Sequence, residues 1–395
     1  KVKFGKYVLN NINKLHLKKY LKRTFTKPSC ILKKLSFLKN IIFLGKMGKT
    51  KSLLILILCI FLSDCLNSEN FALKNKIPKH HLPNGSFQNN YIGSSDKSFF
   101  DLIKWRFEAE TPDPITFPLA RNDPYYLKHN QTKSTLTWIG HATFLIQYNG
   151  KNILTDPHLS DRASPLGFIG PKRYTPPGLS INELPHIDFV LISHNHYDSL
   201  DQFTIESLYE RQKENPPLFF VPLKLKDWFL DLGIKSVIEL DWWEYQILKG
   251  WKIYAVPVQH FSGRTLWDRN KTLWCGWVLE NSNARIFFAG DSGYSKDFID
   301  IGEFFGHMDL SLIPIGAYEP RWFMKEVHVN PEEAVRIHND VNSSLSVGMH
   351  WGTFQLTDEP MDEPPIRLKD ARNSAGINKD QFFVMQHGET KNLNL

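Results

Sequence analysis

The stretch from Phe189 to Asp201, FVLISHNHYDSLD, constrains this chain more than any other. Its apolar, β-branched start, residues 189–192, reads as a buried strand, and a helix-like run over residues 202–211 follows. His194, His196 and Asp198 therefore sit in a strand-to-helix turn. Two neutral imidazoles and an anionic oxygen form a ligand set that suits Zn²⁺. Taken alone, the motif fits a metal site no better than two satisfied surface histidines beside a helix-capping Asp.

Three later positions shift that balance. His260 ends the strand-like run 252–259, Asp291 follows the apolar run 286–289 and Gly290, and His350 follows residues 346–349. Each falls just past a strand-like run, where an α/β sheet presents its loops to a ligand. Such coincidences favour one shared metal site over independent solvated residues.

These residues resemble the metallo-β-lactamase superfamily, whose motif is His-x-His-x-Asp-His followed by His, Asp and His. The similarity goes further. WIGHAT at 138–143, GPKR at 170–173, residues 192–198, 239–244 and 289–294, IPIGAYEPRWFM at 313–324 and HWGTF at 350–354 look like the N-acylphosphatidylethanolamine-hydrolysing phospholipases D. The likeness covers about residues 98–390, and the 313–324 segment is its most specific part. It implies an α/β fold, a four-layer αββα sandwich. It also implies two Zn²⁺ ions, one held by His194, His196 and His260. Asp198 and His350 would hold the other, with Asp291 bridging. Asp198, Asp291 and His350 would be the catalytic groups. Bound zinc lowers the pKa of its water to about 7, and two ions would clamp a phosphodiester between them. The implied reaction converts an N-acylphosphatidylethanolamine to phosphatidic acid and an N-acylethanolamine.

One departure is serious: the family motif has His after its Asp, and this chain has Ser199. A neutral hydroxyl is a poor zinc ligand, so the second ion is expected to bind more weakly. Two alternatives follow. One is another hydrolase of the same fold, a lactonase or thioesterase. The other is a lipid-binding pseudoenzyme. Three further residues are candidates for substrate contact or for hydrogen bonding beside the ligands. His141 is expected to donate or accept within the site, Asp156 is as readily a turn residue before Pro157, and His328 is as readily an exposed loop residue. His338 reads as a solvated helix residue. Trp242-Trp243 and Trp322-Phe323 read as core.

Charge is unevenly spread. The net charge of +7 hides an N-terminal stretch, residues 1–52, with fifteen Lys/Arg and no Asp/Glu. The remainder carries 33 basic against 41 acidic residues, which argues against a nucleic-acid-binding surface. Residues 1–46 read either as a basic targeting stretch or as sequence upstream of a start at Met47. From Met47 the layout is that of a signal peptide, with a ten-residue apolar segment over 53–62, too short to span a bilayer. The competing reading is N-myristoylation at Gly48. Residues 1–65 are therefore set apart, 66–97 read as a linker, and 98–395 as the hydrolase domain. Sequons at Asn84, Asn130, Asn270 and Asn342 permit a secretory route. The expected setting is membrane-associated, in the secretory pathway or on endomembranes, with a membrane phospholipid as substrate; a homodimer is left open. Of four cysteines only Cys275 lies in the main domain, so no disulfide framework is expected. Its role is a buried small residue, with a substitute zinc ligand as the alternative.

Overall fold

The computed structural model describes residues 78–92, 97, 99–265 and 267–395. The basic stretch, Met47, the apolar segment 53–62, linker residues 66–77 and Cys30, Cys59 and Cys65 lie outside the described residues. Pro78–Leu395 form one unit.

Alternation along the strands builds two mixed sheets. The first holds β1 (Thr135–Gly140), β2 (Thr143–Tyr148), β3 (Lys151–Thr155), β4 (Phe189–Leu191), β5 (Leu218–Pro222) and β6 (Val237–Leu240) in that order. The second holds β7 (Tyr245–Leu248), β8 (Trp251–Val256), β9 (Gly276–Glu280), β10 (Arg285–Phe288), β11 (Met308–Pro314), β12 (Ser343–Met349) and β13 (Phe382–Val384). The last strand, β14 (Thr390–Asn392), returns to pair antiparallel with β1. The meander β1–β2–β3 is antiparallel, and β3 to β6 pair in parallel. Likewise β7 to β10 are antiparallel and β10 to β13 parallel. The two halves thus repeat one plan that the residue pattern does not display.

Successive strand residues point to opposite faces. Phe144, Ile146, Ile153, Phe189, Leu191 and Phe220 join Ile253, Trp277 and Leu279 in the core between the sheets. Their neighbours Leu145, Leu154, Val190, Phe219 and Val221 meet α3 (Gln202–Arg211) and α4 (Lys226–Asp231) through Ile205, Leu208 and Phe229. On the far side, α5 (Asp297–Phe305) and α7 (Pro331–Asp340) pack Phe298, Ile301, Val335 and Ile337 into the core. The result is the expected αββα sandwich. Each such side chain, fully buried, contributes about 1.5–3 kcal/mol.

Local signals set several boundaries. Asn149-Gly150 turns the β2–β3 hairpin with φ of 50° and 67°, as a type I′ turn requires. Helix α7 starts on a capping box, Asn330 with Glu333, and has Pro331 in its first turn. The remaining helices among the described residues are α1 (Phe99–Glu108), α2 (Pro124–His129), α6 (Arg321–Met324) and α8 (Glu363–Ser374).

Helix α8 begins at Glu363, with Pro364 and Pro365 in its first turn, where no N–H is needed. Strand β9 begins only at Gly276, since Leu273 and Cys275 donate their N–H groups to Leu223 and Ser193 of the first half.

The linker expectation does not hold for residues 78–92. Gly85 closes a turn onto Leu82, His81 bridges Phe87, and Phe87 inserts into the core at 1% exposure. One aromatic anchor and a tight turn hold a segment whose composition is that of a loop. His338 is likewise buried rather than solvated, facing Ser346 Oγ at 2.8 Å and stacking on Phe382. Asn130 and Asn270 are buried, leaving Asn84 and Asn342 as the exposed sequons. No helix among the described residues is long and apolar enough to cross a membrane.

Candidate metal centre

Both halves of the fold send loops to one point. The β4–α3 turn brings His194, His196 and Asp198, while His260, Asp291 and His350 follow β8, β10 and β12. His194 Nε2 lies 2.8 Å from His196 Nδ1, and His260 Nε2 lies 3.2 Å from the same nitrogen. These three form one ligand group; Asp198 and His350 form a second with His141. Asp291 links the two groups, its Oδ2 3.7 Å from His194 Nε2 and 3.1 Å from His350 Nε2. His328 joins His260 and Asp291 in a third grouping.

Backbone and buried partners aim these groups. Gly290 has φ +61°, and a Cβ there would meet the Ser193 Cβ at 2.5 Å, so only glycine lets the β10 loop deliver Asp291 beside β4. His141 and His350 hold left-handed φ of 54° and 62°, strain of the kind concentrated at functional sites. Thr353 Oγ1 accepts from the His141 N–H, and the His141 carbonyl accepts from the His350 N–H. Behind His194, Asp156 takes both the N–H and the hydroxyl of Ser193, whose oxygen sits 2.8 Å from His194 Nδ1. His260 Nδ1 faces the Val327 carbonyl at 2.9 Å. Such contacts leave the opposite ring nitrogens of His194 and His260 turned to the centre.

The electrostatics suit a cation. Burial depresses the imidazoles, holding His194 at about 3 and His141 and His328 at about 4, so all are neutral and have lone pairs to give. Burial opposes ionisation of Asp198, but His141 and His350 outweigh it and hold the carboxyl well below the usual range. Asp291 behaves the same way beside His350. Burial pushes Asp156 upward. Burial also lowers His350, yet Asp291 and Asp198 raise it to about 10; its proton stands where a cation would.

Buried Asp291 Oδ1 and both ring nitrogens of His350 lack hydrogen-bond partners, as does Ser199 Oγ. Buried polar groups are otherwise almost always paired. Unpaired anionic oxygen and imidazole nitrogens in one buried cluster fit a divalent metal.

The structure therefore brings together all six expected ligands. His141 sits beside them, 3.0 Å from Asp198 Oδ2. His328 lies in the site rather than in solvent, its ring 5.3 Å from those of His260 and His350. Asp156 lies beneath His194 as a support. Cys275 is buried in the core and belongs to none of the ligand groups among the described residues. Trp242 is core as expected, but Trp322 is 43% exposed and Phe323 lines the cleft over the metal groups.

That cleft holds about 530 Å³, with His196, Asp198, Asp291 and His328 at its floor. Leu102, Trp105, Phe261, Phe323, Met324 and Leu356 wall it, and Lys97 and Arg269 reach into it. Four contributors are not visible in the motifs. Ser193 lies inside the motif but looks like a strand residue. Asn89 brackets the His260 main chain, yet sits in a stretch with loop composition. Lys97 and Arg269 show only once the chain is folded.

Residues 151–351 match the Beta-lactamase superfamily domain family. The chain is 43% identical over 268 residues to N-acyl-phosphatidylethanolamine-hydrolyzing phospholipase D 1 of Caenorhabditis elegans, covering 65% of this chain and 74% of that protein. It is 41% identical over 262 residues to the mitochondrial N-acyl-phosphatidylethanolamine-hydrolyzing phospholipase D of Saccharomyces cerevisiae, covering 65% and 55%. Among solved structures, Igni18, a metallo hydrolase from the archaeon Ignicoccus hospitalis, shares the fold with a TM-score of 0.51 at 22% identity, covering 67% of this chain and all of that one. With the ligand groups of both halves meeting in one cleft, the chain belongs to the N-acyl-phosphatidylethanolamine-hydrolyzing phospholipase D family of the β-lactamase superfamily, a family of metal-dependent hydrolases.

Proposed function

We propose that this protein is a zinc-dependent phosphodiesterase that hydrolyses N-acylphosphatidylethanolamines to N-acylethanolamine and phosphatidic acid. The carrying observation is the junction itself, where two His/Asp groups linked by Asp291 floor an apolar-walled cleft. His194, His196 and His260 would hold one zinc; Asp198 and His350, with His141 against Asp198, would hold the other. A zinc pair supplies an activated water and stabilises charge on a phosphoryl oxygen.

The protein's own groups do the rest. Asp198 and Asp291 stay ionised through their histidine partners. Asp156 and Ser193 fix the His194 ring. Lys97 and Arg269 give the cleft a positive side for the phosphate, and the Leu102, Trp105 and Phe323 wall excludes water from the acyl chains. Phe100 and Phe107 on α1 are 79% and 87% exposed, and Phe168 is 79% exposed on the loop before the second half of the first sheet. These exposed aromatics suit docking on a lipid surface, the source of the substrate.

The test measures N-acylethanolamine release by the full chain from vesicles of one N-acylated phosphatidylethanolamine, with and without added Zn²⁺. Vesicles of plain phosphatidylethanolamine, a lactone and an acyl thioester serve as comparators. Preferred turnover of the N-acylated lipid is expected. Two bound zincs without turnover on it would overturn the assignment.

A further inference from the structure

A second histidine–carboxylate cluster lies outside the catalytic cleft. His80 and His81, on the arm 78–92, face Asp241, in the loop that joins the two sheets between β6 and β7. His80 Nε2 is 2.7 Å from Asp241 Oδ1, and His81 Nε2 is 2.7 Å from Oδ2. The turn made by the His81 N–H on the Pro78 carbonyl lets two adjacent residues reach the same carboxylate. Their rings meet edge to face with centroids 4.5 Å apart. His80 is 6% exposed and lies 4.3 Å from the Trp242 ring, whereas the His81 side chain keeps 27% of its surface in solvent.

We propose that His80, His81 and Asp241 form a structural site for a divalent cation of the zinc class, separate from the catalytic pair. The donor set is two imidazoles and one carboxylate, and the open side at His81 leaves room for a water as fourth ligand. Zinc bonds of about 2.0–2.2 Å in a tetrahedron separate neighbouring donor atoms by about 3.3 Å. Side-chain rotation of a few tenths of an ångström at each ligand opens the cluster that far. The catalytic histidines show the same contraction, with His194 and His196 nitrogens 2.8 Å apart. Two histidines meeting edge to face, a carboxylate and an adjacent aromatic wall are more than a surface ion pair needs.

The site has a consequence for the cleft. The arm it fastens continues to Phe87 in the core and to Asn89. Asn89 Oδ1 accepts from the His260 N–H at 3.0 Å, and Asn89 Nδ2 donates to the His260 carbonyl at 3.0 Å. Trp274 Nε1 donates to Asn89 Oδ1. A cation on His80, His81 and Asp241 thus pins the segment that brackets a catalytic ligand.

The experiment counts zinc per chain by elemental analysis after chelator stripping and dialysis against buffered Zn²⁺, in the full chain, Asp241→Asn, His81→Ala and His196→Ala. Asp241→Asn keeps the size of the side chain and one acceptor oxygen, exchanging the other oxygen for an N–H donor and removing the anionic ligand. It is expected to stay folded in chelator, to hold one zinc fewer, and to lose part of the rise in midpoint that Zn²⁺ gives. His81→Ala should lose the same equivalent, and His196→Ala should keep it. Equal zinc content in the parent and in whichever of the two arm-site variants folds would overturn the proposal, leaving a hydrogen-bonded latch. Because Asp241→Asn and His81→Ala leave every candidate ligand of the cleft unchanged, the equivalent they lose is counted independently of the catalytic assignment.

Discussion

Replacing His141 tests how the second half of the centre survives with Ser199 in the motif. The imidazole lies 3.0 Å from Asp198 Oδ2 and its ring centroid 4.0 Å from that of His350. Both partners are metal-ligand candidates, and Ser199 adds no imidazole of its own. Losing a partner that orients a ligand costs about 10–100-fold in metal affinity, or about 1.4–2.7 kcal/mol. With the contact buried and charge-assisted, His141→Ala is expected near the upper end. Residue 141 has φ 54°, so alanine inherits the backbone strain, and His141→Gly separates loss of the ring from strain. Zinc per chain is read against buffered free Zn²⁺, the equivalent on His194, His196 and His260 serving as internal reference. Both variants should fill the second equivalent only at much higher free zinc. Filling at the parent's concentration in both would refute the claim that His141 supports that half.

His196→Ala should remove the first equivalent and all activity, since its Nδ1 is the atom that His194 and His260 both approach; full occupancy of the catalytic pair in the variant would contradict this. Ser199→His should tighten the second equivalent and make it less dependent on His141, measured as coupling in the double variant. Gly290→Ala places a methyl against Ser193 and should strip zinc from the centre while secondary structure by circular dichroism persists. Acid stability follows from burial. His158 and His338, held at about 4, and His387, at about 3, all lie below the unfolded value. The unfolded chain therefore binds protons first as pH falls. The stability they contribute is complete above about pH 6.5 and is lost downward toward pH 4, with a slope of up to about 4 kcal/mol per pH unit for three protons. Urea midpoints of the metal-free protein across that range should fall; a flat profile would count against the burial argument.

The candidate ligands were legible because each follows a strand, and strands of apolar, β-branched residues announce themselves. The six candidates needed no knowledge of sheet pairing. The sheets themselves were less visible. β6 and β7 are partly exposed, so neither has the apolar run of β4 or β10. β13 and β14 are three residues each and owe their conformation to β12 and β1. The arm was misread for the opposite reason: its loop composition is real, and only Phe87, Asn89 and the two histidines engage the domain. Tertiary contact decided each of these cases, and no local periodicity encodes it.

The pairing of β14 with β1 has a consequence during synthesis. Thr135–Thr137 wait for Thr390–Asn392, more than 250 positions later in the chain. Until Thr390–Asn392 leave the ribosome, the edge of the first sheet shows unpaired N–H and C=O groups along a fully buried-type strand. Synthesis at about 5–20 residues per second makes that interval about 13–50 s. An exposed apolar edge of this kind recruits other strands. A chain cut just before Thr390 should therefore aggregate as it is made, even though every candidate metal ligand is already present.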